Sequence, residues 1–308
     1  MTSTTTARAL RDTGLQWRPA KGDRFVIPDV EMDDVVFVVS DMTIEAHDLP
    51  SGQVLGFNGT TEWALDSVDA AEVLWLPREG QLREHLVAAG EAMVALTPSG
   101  PLWAVTTRRG SGAEATTLAE DAEEAYALAL LALRATTARQ LLPVAAGGLA
   151  AVLAPLPAAS WTTTAPGGAL TVADVVAGAV GGLGADPATG WREALVTLLE
   201  AWTRSLEAGD GEGTAGAGDA AADAAQVAEA GADGVLVDLV GATWDVAVAT
   251  GLRTPAAALD PAVVDRALAH VRSWPTSGPR EAPVEAAGEH DALAELLELT
   301  GRQPAPTR

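Results

Sequence analysis

AEDAEEAYALALLALR (119–134) runs directly into ATTARQLLPVAAGGLAAVLAPL (135–156), and the patterns on either side of this stretch follow different rules. Upstream, short runs rich in β-branched and aromatic residues alternate with helical segments, the mark of an α+β arrangement. Arg24–Pro28 and Val35–Ser40 have strand length and composition. Thr43–His47 and Val54–Phe57 lie on either side of the turn residues Pro50, Ser51 and Gly52 and predict a hairpin. Ala92–Thr97 and Leu102–Thr107 likewise flank the turn Pro98 to Pro101. Helices are expected over Ala7–Gly14, Arg78–Ala89 and Ala119–Arg134. The last places Glu120, Asp121, Glu123 and Glu124 in a first turn, where the helix dipole favours negative charge. Residues 1–135 therefore read as a small α+β domain.

Downstream, strand signals fade and long Ala/Leu/Val patterns of helical period take over: Thr137–Leu156, Thr171–Gly181, Ala188–Leu206, Asp219–Thr250, Pro261–Ser273 and His290–Thr300. Thr171 and Asp174 have the spacing of a capping box. Asp260-Pro261 reads as an N-cap followed by proline at the first helical position. Gly251 and Gly301 stand where helices should stop. Residues 136–306 thus read as an all-α unit, a four-helix bundle with C-terminal additions, and the acidic, Gly-rich stretch near 208–218 as a flexible connection within it.

Composition narrows the function classes. The 308 residues carry 19 basic and 42 acidic side chains, a net charge of -23, which repels nucleic acid and anionic lipid surfaces. With no cysteine, disulfides, thiolate metal sites and a cysteine nucleophile are excluded. No apolar core of a signal peptide follows Met1–Arg11, and Leu141–Leu156 is interrupted by Pro143 and Pro155 and falls short of the roughly 20 residues that span a bilayer. A cytoplasmic protein without membrane insertion is expected.

Chemical motifs are sparse. The single lysine, Lys21, is followed by Gly22 and Asp23, so no phosphate-binding P-loop exists. The glycines from Gly178 to Gly184 follow a helix rather than a strand, which assigns them to packing and capping. His47, His85, His270 and His290 never occur four apart on one helix, as a zinc pair would. Most of the nine tryptophans are expected in cores. The exceptions are Trp63 and Trp75, which together with Phe57 and Asn58 form a candidate interaction surface.

Four ordered segments of the second half carry a family resemblance. They are Trp161 to Pro166 with Leu170 to Asp174, Trp244 to Gly251, Asp260-Pro261 through His270, and Gly301 to Pro304. Together they resemble the mycothiol-dependent maleylpyruvate isomerase-like proteins, a branch of the DinB-like metal-binding helical bundles. That resemblance implies an all-α DinB-like four-helix bundle. It also implies a divalent metal held by a histidine on the second helix and by an acidic residue and a histidine four apart on a later one. These places fall on Gly178, Asp238 and Ala242, and the family's loop cysteine and tryptophan places fall on Gly167 and Leu170. The fold is expected to be kept and the metal lost, with no catalytic residue and no cofactor.

In the first half, Gly14 to Pro19, Gly22 to Phe25, Gly56 to Trp63 and Trp75 to Arg78 resemble small high-GC bacterial proteins labelled as pilus-assembly proteins. The expectation is a non-enzymatic or regulatory two-domain cytoplasmic protein with a protein partner. Two alternatives stand beside it: a mycothiol-type, low-molecular-weight-thiol transferase or isomerase that uses a metal such as zinc, and a component of pilus or surface-appendage assembly.

Overall fold

The computed structural model describes residues 1–28, 35–40, 44–50, 52–57, 67–109, 112, 114–184, 186–210, 218–252, 258–274 and 291–302. Its first half holds three small antiparallel sheets. Strand β1 (Arg24–Val26) lies between β2 (Phe37–Val38) and β6 (Leu74–Leu76). Strands β3 (Ile44–Leu49) and β4 (Gly52–Phe57) form the expected hairpin, with Leu49 opposite Gly52, and β5 (Ser67–Asp69) adds to β4. The longest sheet is the meander β7 (Glu91–Ser99), β8 (Leu102–Arg109) and β9 (Glu114–Ala119). Helices α1 (Thr4–Asp12), α2 (Glu79–Ala88) and α3 (Ala122–Arg134) accompany these sheets.

The helix expected over Ala119–Arg134 begins later. Asp121 is its N-cap, accepting from the backbone N–H groups of Glu123 (2.9 Å) and Glu124 (3.3 Å). Residues up to Ala119 pair with β8, where the hydroxyls of Thr106 and Thr116 lie 3.1 Å apart. A threonine pair across two strands supports a sheet that the acidic run downstream concealed.

The second half is helical: α4 (Ala138–Leu153), α5 (Val172–Val180), α6 (Pro187–Asp210), α7 (Gly218–Ala249), α8 (Pro261–Arg272) and α9 (Ala292–Leu299). Their ends follow the cap chemistry. Thr171 accepts from the Asp174 N–H while the Asp174 carboxylate accepts from the Thr171 N–H, which closes the box. Asp260 accepts from Ala262 with Pro261 behind it, and Gly251 and Gly301 take positive φ. The connection expected near 208–218 is shorter: α6 continues to Asp210 and α7 starts at Gly218, and the residues between lie outside the described ones. Helices α4 and α5 each pack against both α6 and α7, α8 packs on α7, and α9 on α8. No helix among the described residues is long and apolar enough to cross a membrane.

Two main cores result. The smaller gathers Phe25, Ile27, Val39, Ile44, Leu55, Val68 and Val73 between the short sheets. The larger takes in α2, the β7–β9 meander and α3, and continues without a break through α4, α7 and α8. Helix α3 is central to it, with every residue from Ala125 to Ala132 buried. A helical stretch apolar on every side, as this one is between the acids of its first turn and Arg134, belongs inside a core rather than at its edge.

Candidate functional site

Helix α7 carries an acidic face that meets the C-terminal segment. Asp238, Gly241 and Asp245 are spaced three and four apart, which puts them on one face. Asp245 is buried, and the guanidinium of Arg302, just beyond α9, closes on it. Nε lies 3.2 and 3.1 Å from the two carboxylate oxygens, and Nη2 lies 3.0 Å from Oδ2. Gly241 makes this approach possible, since a Cβ there would lie 2.6 Å from the Arg302 Nη2. Asp238 faces outward on the same side. Partial burial pushes its carboxyl above the usual range, and the charge of Arg302 pulls the other way. Thus the Trp244-Asp245 and Gly301-Arg302 segments meet in a fork-like ion pair, a contact the linear sequence does not show.

The three positions that the resemblance would give to a metal do not carry a ligand set. Gly178 is exposed on α5 and has no side chain, Ala242 is buried on α7 and offers no lone pair, and Asp238 alone retains a donor group. Asp174, one turn before Gly178, is committed to the cap of α5, and Thr171 holds its carboxyl below the usual range. Among the described residues no group of three or more His, Cys, Asp or Glu is arranged to hold a metal ion. Catalytic zinc takes about three protein ligands and an open position.

Comparison with family models, with curated proteins and with solved structures finds no match.

His85 and His270 have structural surroundings. His85 meets the edge of Trp75 at 6.0 Å, and burial followed by the Arg134 charge lowers its pKa. His270 sits 3.8 Å from Asp233 and edge-on to Trp274. Asp233 in turn is bound by Arg266, which also reaches Glu229, and Glu229 pairs with Arg139. This chain of charges ties α4, α7 and α8 together. His47 lies on β3, and His290 lies outside the described residues.

The candidate surface of Phe57, Asn58, Trp63 and Trp75 is only partly described. Phe57 ends β4, Asn58 and Trp63 lie outside the described residues, and Trp75 is half-buried in β6. Trp161, Trp191 and Trp244 are core residues as expected, whereas Trp103 and Trp274 are exposed. Trp75 stacks on Trp17 with ring centroids 6.2 Å apart and planes 7° from parallel. Trp17 is the partner that sequence reasoning missed, because its segment was singled out only for its family likeness.

Proposed function

We propose that the protein is a cytoplasmic, non-enzymatic two-domain protein of regulatory character, whose helical bundle is a metal-free form of the DinB-like, maleylpyruvate isomerase-like type. One observation carries this reading: the Arg302 guanidinium occupies the acidic face of α7, bonded to Asp245 and electrostatically coupled to Asp238. A metal-binding bundle presents lone pairs to a dication. Here the protein supplies its own fixed cation, and a divalent ion beside it would meet like-charge repulsion that grows as the local dielectric falls. Loss of ligands at Gly178 and Ala242 points the same way. Arg24 with Glu123 and Arg272 with Glu295 are further arginines held in ion pairs, and the net charge of -23 suits protein partners rather than nucleic acid.

The test is metal content by mass spectrometry on protein purified without a metal-binding tag, followed by zinc titration in a calorimeter. Substoichiometric metal and no saturable heat are expected, together with no thiol-dependent turnover of maleylpyruvate. One tightly bound ion per chain would overturn the proposal and favour the thiol-dependent enzyme.

A further inference from the structure

A pocket of about 350 Å³ opens where the two halves of the chain meet, walled by β8 and β9, by α3 and α4, and by α6. Its wall is mainly apolar: Leu118 of β9, Leu128 of α3, Ala146 of α4, and Trp191, Leu195 and Val196 of α6 all line it. Leu128, Ala146, Trp191 and Leu195 belong to the larger core, which fixes three of the walls, whereas Val196 is 50% exposed and open to solvent. Small-molecule sites run from roughly 300 to 1,000 Å³ and favour the places where structural units join. An apolar cavity of about 150 Å³ already accepts benzene, so this pocket has room for about two fused rings.

The charged groups on the same wall are already engaged. Glu120 pairs with Arg192, whose guanidinium also lies over the Trp191 ring, 4.3 Å from its centroid. Asp121 caps α3 and meets the Met1 ammonium at 2.6 Å. Glu124 accepts from the Ser3 N–H at 2.7 Å and from the Thr6 hydroxyl at 2.6 Å. A charged ligand would have to break one of these contacts or enter without a partner, and burying an unpaired charge is costly. An apolar ligand does neither, because it gains simply by leaving water. We propose that this pocket binds a small, uncharged, apolar molecule of about two-ring size, held by its aliphatic and indole walls rather than by hydrogen bonds. The site stands independently of the reading of the bundle.

Naphthalene is the probe, with benzene as the comparison for size and 2-naphthoate and 2-naphthylmethylammonium as the comparisons for charge. Binding is read by methyl NMR on the full chain labelled with ¹³C at leucine and valine, the Val196 resonances being assigned by their loss in Val196→Ala. Naphthalene is expected to shift the Val196 methyls in a saturable way and to bind at least ~10-fold more tightly than benzene, since about four more carbons leave water. Both ions should bind at least ~10-fold more weakly than naphthalene. Val196→Trp, a bulkier side chain at a half-exposed position of the wall, should weaken naphthalene by a similar factor. The proposal is overturned if the Val196 methyls of the unaltered protein do not respond to naphthalene up to its solubility, a result that would leave the pocket to a side chain of a protein partner. It is overturned equally if either ion matches naphthalene, or if folded Val196→Trp binds naphthalene as the parent does.

Discussion

Asp245 receives all of its side-chain hydrogen bonds among the described residues from Arg302. Removing the cation therefore strands a buried carboxylate, whereas removing the anion leaves a guanidinium that is partly in water. Arg302→Gln is expected to cost ~2 kcal/mol, Asp245→Asn less, and the double variant to recover most of the loss. Urea unfolding of the four proteins gives the coupling directly, and additive losses would mean that the pair contributes nothing specific. A second carboxylate, Glu124, accepts from Ser3 and Thr6 yet has its pKa raised, because burial outweighs those bonds. A raised acid binds more protons folded than unfolded, so its contribution favours folding in acid and is lost as pH rises from the unfolded value near 4.5 through the folded one. The melting temperature of Glu124→Gln minus that of the parent should therefore increase from about pH 4.5 upward. Parallel melting curves at every pH would show that Glu124 does not titrate as described.

At the scale of elements, close packing explains the Gly147-Gly148 pair inside α4. A Cβ on Gly148 would stand 2.3 Å from the carbonyl oxygen of Ala258, a backbone atom that cannot swing aside. Gly148→Ala should cost ~1–3 kcal/mol through overpacking, even though alanine favours helix. Gly234 on α7 has open space around its Cβ position, so Gly234→Ala should instead stabilise by ~0.5–1 kcal/mol. The two changes are chemically identical, and thermal unfolding should move in opposite directions. The helices were legible in the sequence because their ends are written in residues: Thr171 with Asp174, Asp260 with Pro261, and the stops at Gly251 and Gly301. Strands β5 and β6 were not, since each is three residues long and, unlike β1 and β2, is not set in a longer run of β-branched or aromatic residues. Strand β9 was hidden because it runs within two residues of the cap Asp121, and the acids there read as one helix start. The candidate site was legible only in part. Asp238, Ala242 and Trp75 could be named in advance, but the Asp245–Arg302 contact spans 57 residues, and no local pattern reports a pairing of that range.

The whole molecule is governed by where its cores lie relative to its change of grammar. That change falls near residue 135, yet the larger core crosses it: Leu82, Leu86, Val105 and the buried stretch Ala125–Ala132 of α3 share one buried cluster with Leu142, Leu149, Leu236 and Val264. The short sheets around Phe25 and Leu55 keep a separate and much smaller cluster. Buried area decides which segments open together, because each shared apolar contact adds to the cost of separating its owners. The unfolding unit should therefore join α2, β7–β9 and α3 to the second half, with β3–β5 opening first. Hydrogen exchange read by mass spectrometry checks this at the level of peptides. Amides of α3 and β8 are expected to share the opening free energy of α4 and α8, and those of β3 and β4 to exchange at least ~10-fold faster. Should β8 and α3 exchange with β3 and β4 instead, the contacts across residue 135 would carry little of the stability. Salt supplies a second handle on the same question. A chain of charge -23 repels itself, and ions screen that repulsion over about 8 Å at physiological strength. Added salt should therefore slow exchange in the joined unit as a whole, while a response confined to the second half would divide the core at α4.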